Sequence, residues 1–185
     1  SKLRKARNQM DELRPYYSKI QETVGQILES NKGMVESPYL VENQAGKHIY
    51  IIVTSSLGLC GGYNVNVFKT MVECLKPDDE IYMIGSKGAS YLAHHHIDYH
   101  SQYVELNSTL DFKDVIRLVH ELTKRYQNQE IASIQMIYTK FVNNLTFQPC
   151  VMDLLPVHTQ DFENRTLTKK ATLFEPSPEA VLNDL

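Results

Sequence analysis

The sequence predicts an α/β domain of the Rossmann-like type, with a mostly parallel sheet of about five or six strands and helices on both faces. Residues 49–53 form a short apolar run rich in β-branched side chains, which is typical of a strand covered on both faces. A glycine-rich turn follows at residues 58–62. Apolar residues then recur at three- and four-residue spacing over residues 65–75, which predicts a helix. A strand, a glycine-rich turn and a helix are the opening unit of a doubly wound fold.

The rest of the chain extends this pattern. Residues 80–84 suit a second strand, residues 110–126 an amphipathic helix and residues 131–138 a further strand. Asn143-Asn144 indicates a hairpin turn into an apolar segment that ends at residue 155. Strands this close in sequence must pair antiparallel, so one edge of the sheet is expected to depart from the parallel arrangement.

Residues 1–31 are predicted to form one long helix. Two sets of apolar residues recur every seven positions, which favours a coiled-coil strand over a helix that lies on its own domain, although the second interpretation stays open. The first set is Leu3, Met10, Tyr17 and Val24, and the second is Ala6, Leu13, Ile20 and Ile27. The predicted organisation is therefore a coiled-coil helix at 1–31, a globular α/β domain at 32–176 and the start of another helix at 177–185.

Both ends of the chain have unusual helix chemistry. Lys2, Arg4, Lys5 and Arg7 occupy the first turns of the N-terminal helix, where the helix dipole favours carboxylates. Residues 177–185 begin with good capping residues and then stop after little more than two turns. We therefore expect residue 1 to lie within a helix and the chain to be part of a longer protein.

Composition excludes several classes of protein. The formal net charge is −3, which gives no general attraction to nucleic acid or anionic lipid. Three widely spaced cysteines suit free thiols in a reducing compartment. No signal peptide is recognised, and no apolar run approaches the roughly 18 residues that a membrane span needs. Contact with a membrane is therefore expected only through a partner.

The glycine-rich turn invites a nucleotide-site hypothesis. Gly58, Gly61 and Gly62 fit neither the dinucleotide fingerprint nor the phosphate loop, and no lysine or arginine lies between Lys47 and Lys69. A structural turn is the favoured interpretation, and no cofactor is predicted. Cys60 would need a nearby histidine to act as a nucleophile.

Two further motifs each suggest a binding site but are explained better as turns. Lys87 lies between two glycines after the second strand, which suggests a phosphate site only weakly, so a strand-to-helix turn is favoured. His96 and His100 would share a zinc ion if they lay on one helix. Residues 97–106 instead suggest an extended segment, so a solvated turn is favoured and metal binding stays an alternative.

Five blocks in order give the chain a family resemblance. The glycine turn and the residues after it, together with four later blocks, are similar to the gamma subunit of F-type ATP synthases. The blocks are Gly58-Leu59-Cys60-Gly61-Gly62-Tyr63-Asn64, Ile84-Gly85-Ser86-Lys87-Gly88, Tyr138-Thr139-Lys140-Phe141-Val142-Asn143, Leu154-Leu155-Pro156 and Phe174-Glu175-Pro176-Ser177-Pro178-Glu179. The chain departs from the family at Ser56 and Leu57, where members usually carry an acidic and a basic residue.

The resemblance implies a rotor subunit without catalytic or cofactor residues of its own. It implies that the N-terminal helix pairs with a C-terminal helix and turns inside the ring of alpha and beta subunits. Expected contacts with the beta subunits are Lys2, Arg4, Lys5, Arg7, Gly58, Leu59, Cys60, Gly61 and Gly62. Phe174 and Glu175 are expected to lie toward the epsilon subunit and the c-ring. The implied location is peripheral, on the cytoplasmic face of a bacterial plasma membrane or the matrix side of an organelle inner membrane.

One hypothesis of another class remains open at this stage. An α/β domain could bind a small anionic ligand at the glycine turn and dimerise through the N-terminal helix. No nucleophile elbow, zinc-protease motif, Cys-x-x-Cys pair or kinase signature supports an enzyme.

Overall fold

The computed structural model describes residues 2–30, 46–54, 61–105, 112–143 and 146–157. Four helices and four strands lie in these ranges. In chain order they are α1 (Lys2–Ser30), β1 (His48–Val53), α2 (Gly61–Cys74), β2 (Glu80–Ile84), α3 (Ser86–His94), α4 (Phe112–Gln127), β3 (Ser133–Asn143) and β4 (Thr146–Leu155).

The strands form one mixed sheet in the order β2-β1-β3-β4. Strand β1 pairs parallel with both β2 and β3, and β3 pairs antiparallel with β4. The predictions of a mostly parallel sheet and of one antiparallel edge are therefore confirmed. The expected strand count is not, because the described residues contain four strands rather than five or six.

The missing strand was expected within residues 97–106. Within the described residues 97–105, the chain forms only an isolated parallel bridge between Tyr82 and His100. His100 N–H donates to the Ile81 carbonyl at 2.8 Å, and the chain then turns over residues 102–105. The apolar and aromatic side chains of this segment are typical of a strand. The extended part is nevertheless too short to form a ladder of backbone hydrogen bonds with β2.

Helices cover both faces of the sheet. One buried cluster joins α1 and α4 to residues of β1 such as Ile51 and Val53, whereas the other joins α2 and α3 to Tyr50 and Ile52. Alternate residues of one strand thus enter opposite cores, as the two-residue period of a strand requires. The prediction of a strand covered on both faces is confirmed for β1, whose residues after His48 are all buried.

The C-terminal two thirds of α1 pack against the chain's own domain. Their buried apolar residues belong to the same cluster as α4 and the sheet, and they follow each other at spacings of three, four, four and four. They are Leu13, Tyr16, Ile20, Val24 and Leu28. Over a few turns, periods of 3.5 and 3.6 residues are hard to distinguish, which explains why heptads also matched this helix. The predicted coiled-coil pairing is not confirmed, and along this part the alternative interpretation holds.

Candidate functional site: the carboxyl ends of the parallel strands

Strands β2 and β3 flank β1 on opposite sides, so the strand order reverses at β1. The carboxyl end of β1 is therefore the topological switch point of the sheet. Ligand sites in open α/β sheets commonly occur at such a point. Helix α3 begins at Ser86, directly after the end of β2 and Gly85, and α2 begins at Gly61 and covers the same face of the sheet. Gly58, Leu59 and Cys60 lie outside the described residues, whereas the backbone of Gly61 and Gly62 forms the first turn of α2.

Thr54 joins this strand end to the start of α3. Its N–H donates to the Ile84 carbonyl at 2.8 Å, and its Oγ1 accepts the N–H of Gly88 at 3.0 Å. The side chain of Thr54 is buried. In a phosphate site at the start of α3, the N–H of Gly88 would donate to the ligand. Here it already donates a hydrogen bond to Thr54.

Two glycines make this close approach possible. Gly85 has φ +109°, and a Cβ added there would lie 2.0 Å from the Thr54 carbonyl oxygen. A Cβ on Gly88 would lie 2.2 Å from the Met83 Cε. These contacts confirm the favoured interpretation of Gly85-Ser86-Lys87-Gly88 as a strand-to-helix turn.

Of the other six expected contact residues, four lie in the part of the chain that the structure describes. Lys2, Arg4, Lys5 and Arg7 lie in the first two turns of α1, and the Arg4 side chain is exposed. Phe174 and Glu175 lie outside the described residues.

The histidine segment does not form the hypothesised zinc pair. His96 has φ 55° just after α3, while the His100 ring stacks on Tyr82 with centroids 4.1 Å apart. His100 Nε2 lies 2.7 Å from Glu80 Oε1. In the described ranges, no three residues among histidine, cysteine, aspartate and glutamate are grouped so that they could hold a metal ion.

Sequence reasoning missed an ion cluster around Glu80, the first residue of β2. Arg125 of α4 contacts both carboxylate oxygens, at 3.0 and 2.7 Å, and Lys47 Nζ lies 3.3 Å from Oε2. Arg125 also donates to the Tyr82 hydroxyl at 3.1 Å. The hydrogen bond from Arg125 is the main cause that lowers the pKa of Glu80 to about 2. The partners come from positions up to 45 residues away, so no local pattern predicts the cluster.

We expect Glu80→Gln to lower the free energy of unfolding by about 2 kcal/mol at pH 7. The folded pKa of about 2 lies below the ordinary value of 4.5. The stabilisation by the carboxylate is therefore complete above the unfolded pKa and is lost as the pH falls toward the folded pKa. Urea unfolding at pH 7 and pH 3 should show the two proteins converging at the lower pH.

Glu22→Gln is the matched control for this prediction. Glu22 is more exposed, at 55%, and lies 3.6 Å from Lys19. Its loss should change the unfolding free energy by less than about 0.5 kcal/mol at either pH. Equal effects at the two positions would show that the cluster around Glu80 does not stabilise the fold.

A cleft of about 330 Å³ lies at the opposite ends of β1 and β3. It is lined by both polar and apolar side chains, namely His48, Tyr50, Lys76, Ser133, Gln135, Asp153, Leu155 and Pro156. No helix within the described parts of the chain is long and apolar enough to span a bilayer.

Comparison with known proteins assigns the family. A family model described as ATP synthase matches residues 1–185. A gamma chain of ATP synthase from Clostridium novyi is 34% identical over 188 residues, covering 100% of this chain and 65% of the relative. This chain belongs to the ATP synthase gamma-chain family. A gamma chain from Mycoplasma capricolum is 32% identical, and the match covers 99% of this chain and 64% of that relative.

This chain spans just under two thirds of the length of each of those gamma chains. Among solved structures, similarity extends to a chain in the OSCP/F1/c-ring structure of the Euglena gracilis mitochondrial ATP synthase in rotational state 3. The TM-score is 0.48 at 14% identity, with 99% of this chain and 69% of that chain covered.

Proposed function

We propose that this gamma-chain relative is the central-stalk rotor of an F-type ATP synthase that translocates protons or sodium ions. It couples rotation of the membrane ring to ATP synthesis or hydrolysis on the beta subunits and performs no chemistry itself. The observation that carries this proposal is the family match along the whole chain, together with gamma-chain relatives at 34% and 32% identity.

The anchoring of α1 supports a mechanical role. The helix has 29 residues, which corresponds to a length of about 43 Å. Ile20, Val24 and Leu28 are buried in the core of the domain and fix one end of the helix to the sheet. A helix that is packed into the domain at its C-terminal end can transmit torque between its N-terminal end and the body. We place the shaft proper at the N-terminal end of α1, where it would pair with the C-terminal helix that the family resemblance implies.

The proposed partner contacts follow the sequence expectations. Lys2, Arg4, Lys5 and Arg7 would meet acidic loops of the beta subunits, and the turn at residues 58–62 would face the lower ends of those subunits. Phe174 and Glu175 would lie toward the epsilon subunit and the c-ring. The body would sit between the alpha/beta ring and the membrane ring, so that the protein is peripheral to the cytoplasmic or matrix face of the membrane.

An asymmetric shaft explains how such a passive body acts on catalysis. Each beta subunit would meet a different side of the shaft and therefore a different set of contacts. A ligand or partner shifts a conformational equilibrium only by its difference in affinity for the two states. Rotation would exchange the contact sets in turn and move each beta subunit through its open and closed states.

No observation favours the small-anion alternative. The seam through which the domain would dimerise is buried against its own sheet over residues 13–28. The N–H of Gly88 is taken by Thr54.

Reconstitution tests the proposed function. The full-length gamma chain of the same source is mixed with purified alpha and beta subunits, and assembly and ATP hydrolysis are measured. We expect one stable complex whose ATPase activity requires the gamma chain. A gamma chain that stays separate from the ring would contradict the proposal.

Nucleotide titration of the isolated chain separates the two hypotheses further. A ligand at 100 times its Kd stabilises its target by about 2.7 kcal/mol, which a thermal melt detects readily. We expect ATP, ADP and phosphate to leave the melting temperature unchanged.

A further inference from the structure

The exposed side of α4 carries a row of basic side chains that the proposed function does not use. We call this row the α4 basic stripe; it consists of Lys113, Arg117, His120 and Lys124. All four side chains are exposed, Arg117 to 72%. At 3.6 residues per turn they fall within a sector of about 60° and extend along about 17 Å of the helix.

The two carboxylates of α4 do not interrupt the stripe. The hydroxyl of Tyr103 donates a hydrogen bond of 3.0 Å to the Glu121 carboxylate. Glu121 therefore contacts the segment that follows α3. Asp114 lies 3.6 Å from Arg117 at the flank, and both partners are substantially exposed. Such an exposed pair is weak, so Arg117 can exchange Asp114 for a carboxylate of a partner. The stripe therefore presents three permanent cations and one histidine on a chain with a net charge of −3.

Packing fixes the direction in which the stripe points. Val115, Leu118, Leu122 and Tyr126 on the opposite side of α4 are buried in the core shared with α1. The bidentate pair between Arg125 and Glu80 holds the C-terminal end of the helix to β2. Rotation of α4 about its axis would expose this core, so the stripe stays on the outer surface.

An apolar side chain borders the stripe. Ile116 remains 36% exposed although it lies on a strongly amphipathic helix. A cationic row with an adjacent exposed aliphatic group is suited to an interface in which charges select the partner and an apolar contact excludes water.

We propose that the α4 basic stripe binds an acidic segment of another protein subunit. The row is one side chain wide and has carboxylates at its flanks, so it matches a helix or an extended strand of acidic residues. A flat anionic bilayer or a nucleic acid is wider than the row and would also bring its negative charge against Asp114 at the flank. The inference rests on the proposed function, because that partner is sought among the other ATP synthase subunits.

Site-specific photo-crosslinking in the assembled complex tests the proposal. The photoreactive benzoylphenylalanine replaces Ile116, and the crosslinked peptide is identified by mass spectrometry. Val72 is the matched control, since it is an exposed aliphatic residue, at 49%, on α2 of the opposite face. We expect Ile116 to crosslink to a peptide of another subunit that is rich in aspartate and glutamate, and Val72 to give no such peptide.

Charge reversal then shows whether the stripe causes the contact. In the Ile116 crosslinking background, Arg117→Glu with Lys124→Glu should reduce the yield by about tenfold. Lys69→Glu with Lys87→Glu, on exposed positions of α2 and α3, should leave the yield unchanged. Unaltered melting temperatures establish that all variants fold.

Three outcomes would overturn the inference. They are an Ile116 yield that survives the stripe reversal, crosslinks only to lipid, and no crosslink at all in a complex that has assembled. Failure of the complex to assemble would instead count against the proposed function, so the two failures are distinguishable.

Discussion

Replacing Gly85 by alanine is expected to lower the free energy of unfolding by about 3–4 kcal/mol. The backbone φ of +109° is one that an L side chain rarely adopts. The new Cβ would also lie 2.0 Å from the Thr54 carbonyl oxygen, a backbone atom that moves only if β1 or α3 moves. Urea unfolding of the wild type and the variant measures the difference.

Gly46→Ala is the control for Gly85→Ala. Gly46 also has a positive φ, +79°, but a Cβ there would meet no atom within 4 Å. We expect a loss of about 1 kcal/mol from the backbone conformation alone. Equal losses at the two glycines would contradict the close approach of α3 to the end of β1.

The second large effect is expected at Ile20. Its side chain is fully buried, so Ile20→Ala should cost about 4 kcal/mol through lost burial and the cavity that remains. Ile27 lies on the same helix and is only partly buried against the same cluster, so Ile27→Ala should cost about half as much. Both are measured by denaturant unfolding of the chain without partners.

The Ile20 experiment distinguishes packing of α1 in the domain core from a role as a coiled-coil strand for a partner. If residues 13–28 belong to the domain core, the loss appears in the isolated chain. If this stretch served only as a coiled-coil strand for a partner, Ile20→Ala would leave the unfolding free energy of the isolated domain within about 0.5 kcal/mol. That second result would refute the packing of α1 described above.

Local patterns predicted much of the fold because they follow from burial at a single element. The apolar run of β1 indicates two covered faces, and the short connection between β3 and β4 requires antiparallel pairing. The turn around Gly85 was likewise recognisable from residue types alone. For the strands, the deciding contacts involve neighbours in sequence or a whole face of one strand, whereas the Gly85 turn was marked by its residue types although it packs against the distant Thr54.

Features that depend on distant residues were not predictable in this way. The heptads of α1 show that one side is apolar but not which surface covers it, and that surface is formed by α4 and the chain's own sheet. Glu80 is one acidic residue among many until Arg125, Lys47 and His100 are brought to it by the fold. The segment around His100 has strand-like residues, yet its pairing is limited to one bridge.

The candidate contact residues pose a different physical problem. In the proposed function, Lys2 and Arg4 contact a partner subunit and not the chain's own core, so no burial pattern in the sequence identifies them. Their assignment depends on family resemblance. The α4 basic stripe, by contrast, is recognisable only after the buried side of α4 fixes its outer side.

Rotation of the body during ATP hydrolysis is the measurement that tests the central claim most directly. The ring of alpha and beta subunits is fixed to a surface, and a bead is attached to the gamma chain through a cysteine introduced at the exposed position 90 on α3. Addition of ATP should turn the bead continuously in one direction, and removal of ATP should stop it. A bead that stays still while the complex hydrolyses ATP would contradict the role of this chain as a rotor.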